Sequence, residues 1–137
     1  MKMNKFEGFT LVELIIVMVL LGILAAVAIP KVGNTISSSE EKTEDAIIAA
    51  LQSAVEMYAM DQVVANSVKS YPTNPFDELD KFPSGYSGVG SLSGVDGEWV
   101  FNNDSQNAYV AHQRNDNSKY RWFYNDSSGI FGGRVAY

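Results

Sequence analysis

The residue whose chemistry stands out in this sequence is a glutamate inside an apolar segment. Residues 9–29 include one charged side chain, Glu13, and one hydroxyl side chain, Thr10. A carboxylate in an apolar helix costs about 2.5–3.5 kcal/mol near the centre of a bilayer, and less near its interface. Glu13 therefore either lies at headgroup level without a further role, or pairs with a cation that another group supplies.

Catalytic chemistry has a weaker basis in the sequence. His112 is the single histidine, and Arg114 lies near it. A Ser-His-Asp triad requires a nucleophile, a base and an orienting acid within hydrogen-bond reach, and no local pattern here marks a nucleophile. We therefore expect His112 to be a surface histidine on a sheet, and the protein to have no catalytic residues.

Acidic residues in predicted turns raise the question of a calcium site. Asp96, Asp104, Asp116 and Asp126 lie where carboxylates and backbone carbonyls could hold Ca²⁺. Asp is also a common residue of hairpin turns, and segment 129–137 contains no Asp or Glu. The turn interpretation is favoured, so we expect no metal and no cofactor.

Length, charge and composition narrow the class of protein. The chain has 137 residues, a formal net charge of −6 and no cysteine. The length allows one small domain, and the absence of cysteine excludes disulfides and thiolate metal sites. The acidic balance disfavours a nucleic-acid partner, because such surfaces are built on cations. The concentration of apolar residues near the N-terminus excludes a uniform soluble globule.

The apolar segment 9–29 has three possible interpretations. Its length matches the roughly 20 residues that a helix needs to cross a bilayer, whereas a cleaved secretory signal has an apolar core of about 7–15 residues. A buried core helix is the third possibility, but the remaining chain is too small and too polar to surround it. The length favours a membrane span. Lys2 and Lys5 precede it, which predicts a cytoplasmic N-terminus.

The residues around Glu13 resemble a known N-terminus. Segment 5–17 reads KFEGFTLVELIIV, with Gly8, Phe9, Thr10 and Glu13 at the edge of the apolar run. This resembles the type IV pilin and pseudopilin superfamily. The resemblance implies cleavage after Gly8 by a prepilin peptidase, N-methylation of Phe9, and a role in assembly for Thr10 and Glu13. It also implies that Glu13 pairs with the N-terminal amine of a neighbouring subunit. Glu7 departs from the basic or neutral residue usual before that glycine.

Elementary electrostatics supports the same role for Glu13. Cleavage after Gly8 leaves the apolar helix attached and creates an α-amine at Phe9, four residues before the carboxylate. In a bundle of such helices an unpaired amine and an unpaired carboxylate would each be costly, and pairing them relieves both. The pairing would select one helix stagger, as a lone polar residue does in a coiled coil.

The helix is predicted to continue beyond the apolar segment. Pro30 removes a backbone hydrogen bond and predicts a kink; the alternative is that Pro30 ends the membrane helix. The resemblance to the pilin superfamily implies that Gly22 takes part in the same kink. The apolar period resumes in a stripe that would pack against the rest of the protein. The stripe consists of Ile47, Leu51, Val55 and Tyr58.

Acidic residues precede this stripe. They are Glu40, Glu41, Glu44 and Asp45. We expect them to form a solvated helix face, with partner binding as the alternative.

Turn residues and strand-forming residues follow the predicted helix. Pro, Gly and Ser are dense in the first part, and short runs rich in Val, Phe, Tyr and Trp follow. These runs are 98–102, 108–113, 119–124 and 130–136. We predict an α+β fold in which a small antiparallel sheet of three or four strands packs on the helix. The predicted segments are a leader (1–8), a membrane or filament-core helix (9–30), an amphipathic helix (31–65), a connecting loop (66–97) and the sheet (98–137).

The resemblance and the apolar segment together predict a structural protein. The resemblance implies a homo-oligomeric helical filament of the type IV pilus class, with a prepilin peptidase/N-methyltransferase and an inner-membrane assembly platform as partners. It implies a single-pass protein of the bacterial inner membrane before assembly, and an extracytoplasmic or surface filament afterwards. A pseudopilin of type II secretion is one alternative. A monomeric, membrane-anchored extracytoplasmic binding module is another, from a different class.

Overall fold

The computed structural model describes residues 8–137, so most of the predicted leader lies outside the described residues. A long helix, a 3-10 helix and six strands follow one another there. They are α1 (Leu11–Asn66), the 3-10 helix Pro75–Glu78, β1 (Tyr86–Val89), β2 (Trp99–Asn102), β3 (Tyr109–Gln113), β4 (Lys119–Asn125), β5 (Ile130–Phe131) and β6 (Val135–Ala136). The chain divides into two compact units, Met1–Ser38 and Ser39–Tyr137. The second unit is called the head below.

The strands form one mixed sheet in the head. The order is β1-β2-β3-β4-β5, and β6 also pairs with β4. β1 runs parallel to β2, and the other pairs are antiparallel. The helix and the sheet confirm the predicted α+β class.

The prediction of three or four antiparallel strands is wrong in two respects. The sheet has six strands, and β1 runs parallel to its neighbour β2. β1 lies in segment 66–97, whose Gly, Pro and Ser residues predict a loop, and the connection 90–98 brings the chain back so that β2 runs beside β1 in the same direction. The predicted strand 130–136 is divided by Gly132 and Gly133 into β5 and β6. These short strands form because neighbouring strands offer hydrogen-bond partners, which a local pattern does not reveal.

The core lies between α1 and one face of the sheet. Leu51 and Val55 of α1 are fully buried there, and Phe76 joins them from the 3-10 helix. The sheet contributes Trp99, Phe101, Val110, Trp122 and Tyr124. In β4 the buried Trp122 and Tyr124 alternate with the exposed Phe123, which is the period of a strand with one covered face.

A buried ion cluster also joins α1 to the sheet. The carboxylate of Glu44 accepts two hydrogen bonds of 2.7 Å from Arg114, and its Oε1 lies 2.9 Å from Nδ1 of His112. Arg134 Nε lies 3.0 Å from Oε2 of Glu44, while its other nitrogens contact Glu41 and Asp45 at 2.7 Å. One carboxylate of the helix thus holds side chains that come from the end of β3 and from the segment before β6.

These contacts overturn two expectations. Glu44 is fully buried rather than part of a solvated helix face, and the acidic residues beside it bind Arg134. His112 is 6% exposed and its ring stacks on Trp99 at 4.3 Å, so it is not a surface histidine. The arginines that neutralise these carboxylates lie 70 to 93 residues away in the sequence, so a local charge pattern does not reveal the pairing.

The cluster makes the stability of the head depend on pH. Burial by itself would raise the pKa of Glu44, but the hydrogen bonds from Arg114 and His112 and the charges of Arg114 and Arg134 lower it to about 2. The folded-state pKa is therefore below the unfolded value, and the stabilisation is complete above the unfolded pKa. It is lost as pH falls from about 5 to about 2, and a shift of this size corresponds to roughly 3 kcal/mol.

We expect acid to destabilise the head through Glu44. Urea unfolding of the full chain in detergent should show a fall in the free energy of unfolding of about 3 kcal/mol between pH 5 and pH 2. The Glu44→Gln variant should be less stable at pH 7 and should lose much of this pH dependence. Glu56→Gln, which changes an exposed carboxylate, is the control and should keep it. An unchanged pH dependence in Glu44→Gln would contradict the assignment.

A tight backbone approach next to β1 gives a second prediction. Gly85 has φ of 86°, and a Cβ there would collide with the carbonyl oxygen of Gly97. Gly94 has φ of 95°, and a Cβ at that position would meet nothing within 4 Å. Gly94→Ala should cost about 1 kcal/mol for the left-handed conformation alone.

Gly85→Ala should cost about 2–4 kcal/mol, because the collision adds to the conformational penalty. The difference between the free energies of unfolding of the two variants, measured with urea, gives the cost of the collision. Equal losses of stability in both would show that the backbone at Gly97 moves away freely.

Candidate functional site

The predicted assembly residues form a hydrogen-bonded helix cap. Thr10 immediately precedes α1, and Glu13 lies in the first turn. The backbone N–H and the hydroxyl of Thr10 donate to Oε2 of Glu13 at 2.8 and 2.9 Å, and the N–H of Glu13 lies 3.2 Å from the Thr10 hydroxyl oxygen. This reciprocal arrangement is a capping box, in which each side chain satisfies a backbone donor that the helix leaves free.

The cap defines what the carboxylate can still bind. Both hydrogen bonds to the side chain of Glu13 use Oε2, so within the described residues Oε1 remains available to a second donor. A cation placed there would be added to the cap without replacing it. The sequence contains the signal for this geometry, because Thr followed three positions later by Glu before an apolar run is the capping-box pattern. The role predicted for Glu13 in the sequence analysis rests on its charge alone and does not include capping of the helix.

Gly8 and Phe9, the predicted processing residues, precede the helix. Both are exposed, and the side chain of Phe9 is 91% exposed. They lie before Leu11, the first helical residue, where the backbone has no helical hydrogen bonds. Their exposure within the described residues is compatible with the predicted cleavage, which stays a prediction.

The apolar segment that follows is uncovered. Every described residue from 11 to 33 is exposed. α1 is long and apolar enough to cross a membrane, and none of its apolar stretch of 18 residues is buried. A continuous apolar surface of this size marks a site of contact with lipid or with protein.

Gly22 and Pro30 both lie inside α1. The helix continues through Pro30, so the alternative in which this proline ends the helix does not describe the structure. A Cβ on Gly22 would meet nothing within 4 Å, which leaves room for a close neighbour. The predicted kink stays a prediction.

The predicted packing stripe lies on the sheet side of α1. Leu51 and Val55 are fully buried in the core, Ile47 packs against it, and Tyr58 is partly buried. A polar residue beside the stripe adds a contact that the periodicity does not indicate. Gln52 donates to the carbonyl oxygen of Gly129 at 2.8 Å and accepts from the N–H of Phe131 at 3.3 Å.

Metal-ligating chemistry is sparse in the described part of the chain. Residues 8–137 hold no group of three His, Asp or Glu side chains that could bind a metal ion. The turn residue Asp116 instead accepts hydrogen bonds from Ser118, which lower its pKa. Residues 8–13 offer an exposed apolar surface and one capped carboxylate.

Comparison with known proteins identifies relatives that share this N-terminus. The prokaryotic N-terminal methylation motif matches residues 3–29. The type II secretion system core protein G of Vibrio cholerae is 38% identical over 82 residues, which are 54% of this chain and 56% of that protein. The type IV major alpha-pilin of Moraxella bovis is 44% identical over 54 residues, which are 39% of this chain and 34% of that protein. No solved structure matches the chain significantly.

One relative is matched over more of its length. The type IV narrow pilus major component of Thermus thermophilus is 40% identical over 87 residues, which are 64% of this chain and 68% of that protein. The chain spans about half the length of the secretion-system relatives. The methylation motif and the extent of the Thermus match show that the chain belongs to the type IV pilin and pseudopilin superfamily.

Proposed function

We propose that this chain is a structural subunit that polymerises through its N-terminal helix into a filament of the type IV pilus class. The observation that carries the proposal is the exposed apolar segment of α1, which begins at a capped carboxylate. Lipid can cover such a segment before assembly, and the same segments of other copies can cover it afterwards. A membrane anchor alone needs the apolar residues and a helix cap, but it has no use for the second carboxylate oxygen of Glu13, which the cap leaves open.

Processing would prepare the helix for this assembly. Cleavage after Gly8 by a prepilin peptidase, followed by N-methylation, leaves a cationic amine on Phe9. The methylation motif and the exposure of both residues support this step. The cap survives cleavage, because the N–H of Thr10 belongs to a peptide bond that stays intact. The amine of a neighbouring copy would then bind the open Oε1 of Glu13 and set the stagger between helices.

The relatives support two filament types. A surface pilus is favoured by the Thermus pilus component, which is matched over the larger share of both chains. A periplasmic pseudopilus is the second candidate, favoured by the secretion-system core proteins G of Vibrio cholerae and Aeromonas hydrophila. Filaments containing this chain in material sheared from the cell surface would favour the pilus. Loss of protein export in a strain that lacks the chain would favour the pseudopilus.

We expect Glu13→Gln to prevent filament formation while leaving the helix cap in place. Glutamine also serves in a capping box, so this variant removes the charge and keeps the local geometry. The variant should insert in the membrane and be cleaved, but should give few or no fibres by electron microscopy. Thr10→Ser keeps the capping hydroxyl and is the control, which should assemble.

Mass spectrometry of the mature N-terminus provides the second measurement. A methylated Phe9 in both variants would show that any loss of fibres is a defect of assembly rather than of processing. Normal fibres from Glu13→Gln would contradict the role of the charge. An unprocessed wild-type chain that stays monomeric in its native membrane would contradict the proposed function itself.

A further inference from the structure

Arg121, a cation on the outer face of the sheet, forms no ion pair within the described residues. Arg121 alternates in β4 with the buried Trp122, so it points away from the core. Its guanidinium carbon lies 5.0 Å from the ring centre of Phe123 and 5.7 Å from those of Tyr109 and Tyr137. Within the described residues its Nε is buried without a hydrogen-bond partner. We call these four residues the Arg121 face.

The aromatic rings prepare this cation for an anion. Three rings hold the guanidinium in place and remove part of its water, which strengthens its attraction for an incoming carboxylate. Phe123 and Tyr137 are 36% and 45% exposed, so the face is open to a partner. The hydroxyls of Tyr109 and Tyr137 lie 3.3 Å apart and fix the two rings against each other.

An acidic groove lies on a different surface of the head. The groove of about 370 Å³ runs between α1 and the 3-10 helix, and its apolar wall includes Met57, which is 70% exposed. Asp61, Glu78 and Asp80 line it, and Asp77 lies next to Glu78. No ion pair within the described residues involves these four carboxylates, which we call the acidic groove residues.

The negative charges of this groove are not neutralised within the head. Burial raises the pKa of Glu78, and the charges of Asp77 and Asp61 raise it further. A cation brought to the groove would therefore relieve repulsion as well as form new contacts. The exposed Met57 and the alanines beside it would cover the aromatic rings that accompany such a cation.

We propose that the Arg121 face of one copy binds the acidic groove of the next copy. The proposal rests on the proposed function, because it describes how the heads of a filament contact each other. The two surfaces share no residue, so each copy keeps one of them open after the first contact. Such a heterologous contact continues from copy to copy and builds an open helical assembly. The net charge of −6 makes copies repel each other, which a local attraction of this kind must overcome.

Charge reversal with rescue tests the proposal in the full chain in its native host. Arg121→Glu should lower the yield of sheared filaments roughly tenfold, because it places like charges across the contact. Glu78→Arg should lower the yield less, because Asp61, Asp77 and Asp80 remain in the groove. The double variant Arg121→Glu/Glu78→Arg should give a higher yield than Arg121→Glu alone, because the two exchanged charges can pair. Lys42→Glu, which makes the same charge change at an exposed position outside both surfaces, is the control and should assemble normally.

Cysteine cross-linking gives a measurement that leaves every charge in place. Val135 pairs directly with Arg121 across β4 and β6, so it lies on the same face, and Met57 lines the acidic groove. The chain has no native cysteine. In filaments of Val135→Cys/Met57→Cys, mild oxidation should produce a ladder of disulfide-linked multimers, whereas each single variant should stay monomeric.

The outcomes separate this inference from the proposed function. Wild-type filaments without a ladder, or a double charge variant without rescue, would overturn the contact and leave the filament function standing. Dimers from either single cysteine variant would indicate a symmetric contact and would also overturn it. Absence of wild-type filaments would instead refute the proposed function.

Discussion

An apolar helical segment that the chain itself leaves uncovered is the constraint on which the other features depend. Every described residue from 11 to 33 is exposed, and the fully buried apolar core of the head uses α1 only from Leu51 onward. Water is an unfavourable environment for such a segment, so lipid or other copies must cover it. Membership of the pilin and pseudopilin superfamily agrees with this requirement, because a filament built from such helices removes them from water.

We propose that Glu13 gives that association a preferred register. Its Oε2 closes the first turn of the helix with Thr10, while its Oε1 is open within the described residues. One side chain can thus begin the helix and still receive a cation from a neighbour. Apolar contacts between helices tolerate many staggers, but a buried carboxylate tolerates only those that bring it a positive charge.

Two groups of charges in the head differ in where their partners lie. Glu44 is fully buried and takes its cations from within the head, so this cluster serves folding. Arg121 and the acidic groove residues make no ion pair within the described residues and lie on separate surfaces. The charges around Glu44 therefore stabilise a single copy. We propose that Arg121 and the acidic groove residues bind a second copy instead. Distance decides the difference, because charges on separate surfaces interact weakly through water.

Local pattern by itself determined the apolar helix, its capped start and the α+β class. Each rests on residues close in sequence, such as Thr10 with Glu13 or Leu51 with Val55. Only the tertiary structure decided that Glu44 is buried beside Arg114, that His112 is covered, and that β1 runs parallel to β2. These outcomes depend on which distant segments meet, because a short strand or a buried charge is stable only when a remote partner supplies its hydrogen bonds.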